Sequence, residues 1–423
     1  GITLGSTIKS DGTNRSLSLL DSGTTTLAGA IGGTTSVDGE KLSSLSTDAG
    51  GNTLLNGATV VTSSAQTYGD ALTLGANTTL TGSTVTLSAG ADASAAGAQA
   101  LTVTGNASFG AVGANQALSS LSVTGANIQL ADVSTSGAQT YADAVTLGAN
   151  TTLVTTNSNV SFTVTSTLNS SEALATATPA APATLSITAG LGDVTFGGIV
   201  GGAAYTATNG ALGAVTLVSA KDVGINAAFK AASLTQQAGT GTTTIGGATT
   251  LTGALGFTGS ALTVNAAVTA GGAVTVANAG TFTTSATGDI TAAGAFSQTG
   301  AGTNSLAGDI SLTLASASLS FAKAVTLTGS VVLGTTDGAI TFAEVVDGTA
   351  DNAQNLTLNA VTGDVTFAKT LGALKKLGDI VANSTGTTQF NDVVLAKSVT
   401  TNAGGFTELF GNVTTTGAQS YGD

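Results

Sequence analysis

The chain is written almost throughout in short runs that alternate apolar with hydroxyl-bearing residues, each run closed by Gly, Asn or Asp. Thr84-Val85-Thr86-Leu87-Ser88 is one such run and Leu356-Thr357-Leu358-Asn359 another. Runs at 274–276, 282–284, 290–291 and 296–298 follow one another with only a few residues between them. Successive side chains of a strand point to opposite faces. The alternation therefore sends Val, Leu, Ile and Phe to one face and Thr, Ser and Asn to the other, so one face is a core. No segment shows the periodicity of an amphipathic helix, and no substantial helix is predicted.

Strands this short are not stable as isolated hairpins. The runs also recur on a period. Phe321, Phe342, Phe367 and Phe390 stand 21, 25 and 23 residues apart, and a spacing in the low twenties is that of one solenoid coil. A longer copy lies above it. Ala65-Gln66-Thr67-Tyr68-Gly69-Asp70 opens a block that runs to Leu80, recurs from Ala138-Gln139-Thr140-Tyr141-Ala142-Asp143 to Leu153, and begins again at Ala418-Gln419-Ser420-Tyr421-Gly422-Asp423. Gln139 follows Gln66 by 73 residues.

These patterns predict an all-β chain, a parallel β-helix (β-solenoid) with coils of about 20–25 residues. Each coil pairs its strands with those of the coils on either side, and equivalent apolar residues stack inside. Phe321, Phe342, Phe367 and Phe390 are then a core ladder. The strong right-handed bias of parallel crossovers favours right-handed coils. The 59 glycines are expected at corners that need positive φ. The predicted organisation is one continuous solenoid over residues 1–423. The segment 169–183 holds both prolines and breaks the alternation, so it is expected to project as a loop. The chain opens and closes in mid-pattern, which reads as a piece of a longer protein.

Composition narrows the function. Hydrophobic residues make up 42% of the chain and charged residues 8%, so Thr, Ser and Asn, in place of Lys and Glu, supply the wet surface. The net charge is −13, Arg15 is the one arginine, and the lysines are scattered apart from Lys375-Lys376. A phosphate backbone needs clustered cations, so nucleic acid is not an expected partner. Cys, Met, His and Trp are absent, which removes thiol nucleophiles, soft metal ligands and the usual proton shuttle at neutral pH. Thr, Ser or Asn interrupts every apolar run well short of a membrane span, so no membrane insertion is expected.

The block Thr47-Asp48-Ala49-Gly50-Gly51-Asn52-Thr53-Leu54-Leu55-Asn56-Gly57 with its following Gln66-Thr67-Tyr68-Gly69-Asp70, and the block Thr401-Asn402-Ala403-Gly404-Gly405-Phe406-Thr407 with Gln419-Ser420-Tyr421, carry a resemblance. They resemble the β-strand repeats of giant bacterial surface exoproteins, similar to adhesins of the filamentous-haemagglutinin and autotransporter types. The resemblance covers nearly the whole chain and implies a right-handed parallel β-helix exported to the outer surface of a bacterium or beyond it. It implies a structural or adhesive role, with partners among host or neighbouring-cell glycans and proteins, flanking repeats, or other copies of the chain. It supplies no catalytic residues.

Other functions are weighed on residues. A self-assembling module of a filament or sheath is the alternative, because the end coils of a solenoid carry unpaired strand edges. A polysaccharide-acting β-helix enzyme is the remote one. It needs converging carboxylates, and the densest acidic stretch is Glu344, Asp347 and Asp351, which is also the best candidate for a cation. Asp193, Asp289, Asp309, Asp364 and Asp379 each follow Gly and precede Val or Ile, a turn signature that could bind calcium weakly if stacked. No cofactor is predicted. Tyr68, Tyr141 and Tyr421 are either lids on the core edge or platforms for a sugar.

Overall fold

In a computed structural model of the chain, residues 1–33, 39–171, 181–202 and 210–422 are described. Every regular element among them is a β-strand, and every strand pairing is parallel. The residues group into two compact units: Gly1–Ala214 with Val218–Lys221, and Val215–Leu217 with Asp222–Asp423.

Each unit is a three-sided solenoid. In the first unit one column of strands runs from Leu17–Leu19 through Leu45–Thr47 and Gln66 to Tyr68, and then through Val85, Ala107, Ile128 and Val145 to Leu168. A second column runs from Val60 through Leu80, Val103, Val123 and Tyr141 to Phe162 and Phe196. A third begins at Ile2–Leu4 and continues through Thr24–Leu27, Asn52–Leu55 and Ala71–Leu74. Most strands are only three to five residues long, because each side of the coil is that short and a corner follows.

The core is built by the alternation itself. The strand Ile340–Phe342 turns Ile340 and Phe342 inward and leaves Thr341 half-buried, and the same pattern holds at Val365–Phe367 and Leu319–Phe321. Phe321, Phe342, Phe367 and Phe390 stand in direct register at 1% exposure. Their neighbouring ring centroids lie 5.5, 5.0 and 5.3 Å apart with interplanar angles of 14°, 7° and 9°. The predicted ladder is therefore a stack of near-parallel rings, each face covered by the next. The first unit holds a shorter one, Tyr141, Phe162 and Phe196, with centroid separations of 5.1 and 5.6 Å. Burying each ring contributes roughly 1.5–3 kcal/mol.

Two expectations change. Only 14 of the 59 glycines have positive φ. Many of the others are glycine because the adjacent coil passes too close for a side chain: a Cβ at Gly338 would lie 1.9 Å from the Ala317 carbonyl oxygen, and one at Gly363 2.1 Å from that of Gly338. The bounds expected for a loop at 169–183 do not hold at the ends of that span. Asn169 and Ser170 belong to the strand Leu168–Ser170, and Ala183 is buried with its N–H donating 2.8 Å to Ser170 Oγ. Residues 172–180 lie outside the described residues.

Candidate functional site

Among the described residues the acidic side chains form no group of three able to hold a metal ion, and several of them tie coils together. Asp347 is 6% exposed, and its Oδ1 accepts the Leu374 N–H at 2.8 Å. Asp351 Oδ1 accepts the Lys376 N–H at 3.0 Å. Glu344 is exposed. The structure thus separates the three carboxylates proposed from sequence, and among the described residues no group of three acidic side chains is placed to hold a metal ion. The Gly-Asp turns behave similarly. Asp289 Oδ1 accepts from the Asp309 N–H at 2.9 Å, Asp309 Oδ1 from the Val332 N–H at 2.7 Å, and Asp364 Oδ1 from the Thr387 N–H at 2.8 Å. Each bond joins residues 20 to 23 apart, which is one coil to the next. Asp379 differs: its carboxylate accepts from Ser398 Oγ at 2.7 Å and pairs with Lys397 Nζ at 3.0 Å. The Ser398 hydroxyl, then Lys397, hold its pKa below the ordinary value. Asp193 forms a looser pair with Lys221 at 3.9 Å.

The repeat signature is an internal rivet. Gln66 and Tyr68 sit at successive inward positions of Ala65–Tyr68 and are both 0% exposed. Gln66 Nε2 donates to the Val60 carbonyl at 3.1 Å and to the Thr81 carbonyl at 2.8 Å, while Tyr68 Oη donates to Gln66 Oε1 at 3.0 Å. Gln139 repeats this with Val133 at 3.3 Å and Val154 at 2.8 Å, and Tyr141 Oη lies 3.0 Å from Gln139 Oε1. Thr81 and Val154 each lie 15 residues after their glutamine, on the following coil. The amide thus satisfies acceptors on two coils at once, as a buried polar group must. Burial raises the Tyr68 and Tyr141 pKa well above the ordinary phenol value.

The third copy keeps the local geometry in an open setting. Gln419 Nε2 reaches the Val413 carbonyl at 3.2 Å, and Tyr421 Oη reaches Gln419 Oε1 at 3.1 Å, yet Gln419 is exposed and Tyr421 is 36% exposed. The aspartates diverge: Asp70 is 1% exposed and accepts from the Gly51 N–H at 2.7 Å, whereas Asp143 is half-buried and makes no side-chain hydrogen bond among the described residues. Asp423 lies outside the described residues. Of the two readings for tyrosine, the first two copies match the core and not a sugar platform.

Sequence reasoning missed two features. One is a buried amide corner in the second unit, where Gln298 Nε2 donates to Asn278 Oδ1 at 2.8 Å and to the Gly300 carbonyl at 3.0 Å. A polar residue at an inward position, Gln298 two residues after Phe296, was the available signal.

The other is a surface groove of about 350 Å³ in the first unit, lined by Thr84, Asn106, Ser108, Asn127, Gln129 and Thr146 with Ala107 at its floor. Four successive coils supply it, since Thr84 is in register with Asn106, Ser108 with Gln129, and Gln129 with Thr146. A bulge at Gly105 shapes the approach. Its φ of 129° is open to glycine, and a Cβ there would lie 1.9 Å from the Gly82 carbonyl oxygen. Asn106 Oδ1 accepts the Asn127 N–H at 3.0 Å, and Gln129 Oε1 accepts from Ser108 Oγ at 3.1 Å. Those bonds fix both amides while leaving their NH2 groups without a partner among the described residues.

Compared with protein-family models, with curated proteins and with solved structures, the chain gives no significant match to any.

Proposed function

We propose that this chain is a non-catalytic structural and adhesive segment of a bacterial surface or extracellular protein, a stack of coils that presents repeated uncharged hydroxyl and amide groups. The observation that carries this reading is the outer ladder beside the phenylalanine stack. Thr275, Ser297, Ser320, Thr341, Thr366 and Gln389 lie in register on successive coils. Many weak contacts at a fixed spacing on one body give avidity without a deep pocket. Carboxylates such as Asp289 and Asp364, in place of the convergence that an enzyme acting on polysaccharide would need, hold neighbouring coils together. Beads coated with the purified chain, passed in flow over epithelial cells and over bacterial cells, test the reading. Retention above that of albumin-coated beads supports it, and equal retention on every surface refutes it.

Self-association is the second reading. It draws on Phe406 at 73%, Phe410 at 67% and Leu409 at 44% exposure, on or beside the strand Phe406–Leu409. Electron microscopy of the same protein separates the two, since continuous fibres support self-association and discrete particles count against it.

A further inference from the structure

The geometry points to the groove of Thr84, Asn106, Ser108, Asn127, Gln129 and Thr146 as a binding subsite for a neutral oligosaccharide lying along the coil axis. This inference rests on the adhesive reading and names its ligand class.

Four observations select the ligand. The lining carries no charged side chain, so neither an anionic polysaccharide nor a phosphate finds a counter-ion there. The strands beneath the groove are paired on both sides, Ala107 with Val85 and Ile128, and Ile128 with Val145, so no free main-chain edge can receive an extended peptide. Its one apolar lining residue is Ala107, 4% exposed, which offers no anchor for an apolar side chain. What remains is an array of uncommitted donors and acceptors: the NH2 groups of Asn106 and Gln129, the whole side-chain amide of Asn127, and the hydroxyls of Thr84 and Thr146. Paired donors and acceptors on amides and hydroxyls match the vicinal hydroxyls of a sugar.

Size and pitch agree with this. A volume of about 350 Å³ lies at the small end of ligand sites and suits a disaccharide. Successive parallel strands are spaced about 4.8 Å apart, close to the rise per sugar of an extended glycan. A chain laid along the axis therefore meets Asn106, then Asn127 and Gln129, then Thr146 at nearly one sugar per coil. The hydrogen bonds from Asn127 N–H and Ser108 Oγ hold two of these amides in place before any ligand arrives, which lowers the ordering cost of binding.

The test uses the full chain and immobilised polysaccharides: the neutral glucan, galactan and mannan, and the anionic heparin and polygalacturonate. The expected result is binding to at least one neutral polymer with little salt dependence. Asn127→Ala with Gln129→Ala, both exposed and outside the core, weakens that binding about tenfold, as loss of two hydrogen bonds implies. Lys230→Ala, exposed on the strand Phe229–Gln236 of the second unit, leaves it unchanged. Wild-type protein that binds none of the neutral polymers, or only the anionic ones, overturns the inference, as does a doubly substituted protein that binds as before. The bead assay keeps the two ideas apart: cell retention without neutral-polymer binding sinks the subsite alone, whereas loss of retention sinks the adhesive reading.

Discussion

Two copies of one local arrangement in different surroundings give the sharpest test of what holds the coils together. Gln139→Ala removes the amide that donates to Val133, Thr135 and Val154 at 3.3, 3.2 and 2.8 Å, and it strands the Tyr141 hydroxyl, at 0% exposure, without its acceptor. An orphaned buried polar group costs about 1–3 kcal/mol, and the space left by the shortened side chain adds roughly 1–2 kcal/mol. The expected loss is therefore about 2–5 kcal/mol. Gln419→Ala deletes the same local bonds in a side chain that water already reaches, and the expected change is within about 0.5 kcal/mol. Guanidinium unfolding followed by circular dichroism gives the free energies, and amide hydrogen exchange over 133–155 and 413–422 locates them. Tyr141→Phe placed on top of Gln139→Ala should recover part of the loss, because the stranded hydroxyl is gone. Equal destabilisation at Gln139 and Gln419, or no recovery in the double variant, refutes the argument that burial gives the motif its value.

Phe342→Ala opens a gap between two stacked rings and should cost about 3–5 kcal/mol, whereas Phe406→Ala, at 73% exposure, should change stability by less than about 0.5 kcal/mol; urea midpoints compare them. Val361 holds a φ of 56° at 52% exposure; because that region penalises a β-branched residue, Val361→Gly should stabilise by about 0.5–1 kcal/mol, read as a rise in melting temperature. Asp379, with its pKa held down by Ser398 and Lys397, contributes stability that is present above the unfolded carboxylate value and lost as pH falls through the lower folded value, so its NMR titration midpoint should lie below that of an unfolded-chain aspartate and move up in Ser398→Ala. Because the aspartates accept main-chain N–H groups instead of gathering, millimolar calcium or EDTA should leave the melting temperature unchanged; a calcium-dependent rise would show that some of these carboxylates are free to bind cations.

The part of the fold legible in the sequence is the part written in local alternation. Ile340-Thr341-Phe342 states which residues face inward, and the recurrence of Phe321, Phe342, Phe367 and Phe390 once per circuit states that coils stack in register; the ring separations follow from the two together. What stayed hidden depends on which residue one coil places beside another. The link from Asp347 to Leu374 spans 27 residues, and no local pattern announces it. Gln66 and Tyr68 were legible as a motif but not as a rivet, although their inward positions, with Thr67 between them facing out, hinted at it. The 73-residue offset also hid a rotation: the first copy lies in the column of Leu45 and Val85, the second in that of Leu121 and Val160. The groove needed the bulge at Gly105 as well as the register of four coils, neither of which composition reveals.

The register described for the coils also constrains how such a chain can change over time. A strand such as Val365–Phe367 pairs with its counterparts in the preceding and following coils, Ile340–Phe342 and Thr387–Phe390. Duplicating or excising one whole circuit restores every pairing with a new neighbour of the same kind. Deleting a single residue instead turns that strand inside out, exposing Val365 and Phe367 and driving Thr366 into the aromatic stack. Length is therefore the trait this architecture lets vary most freely, in steps of one full circuit.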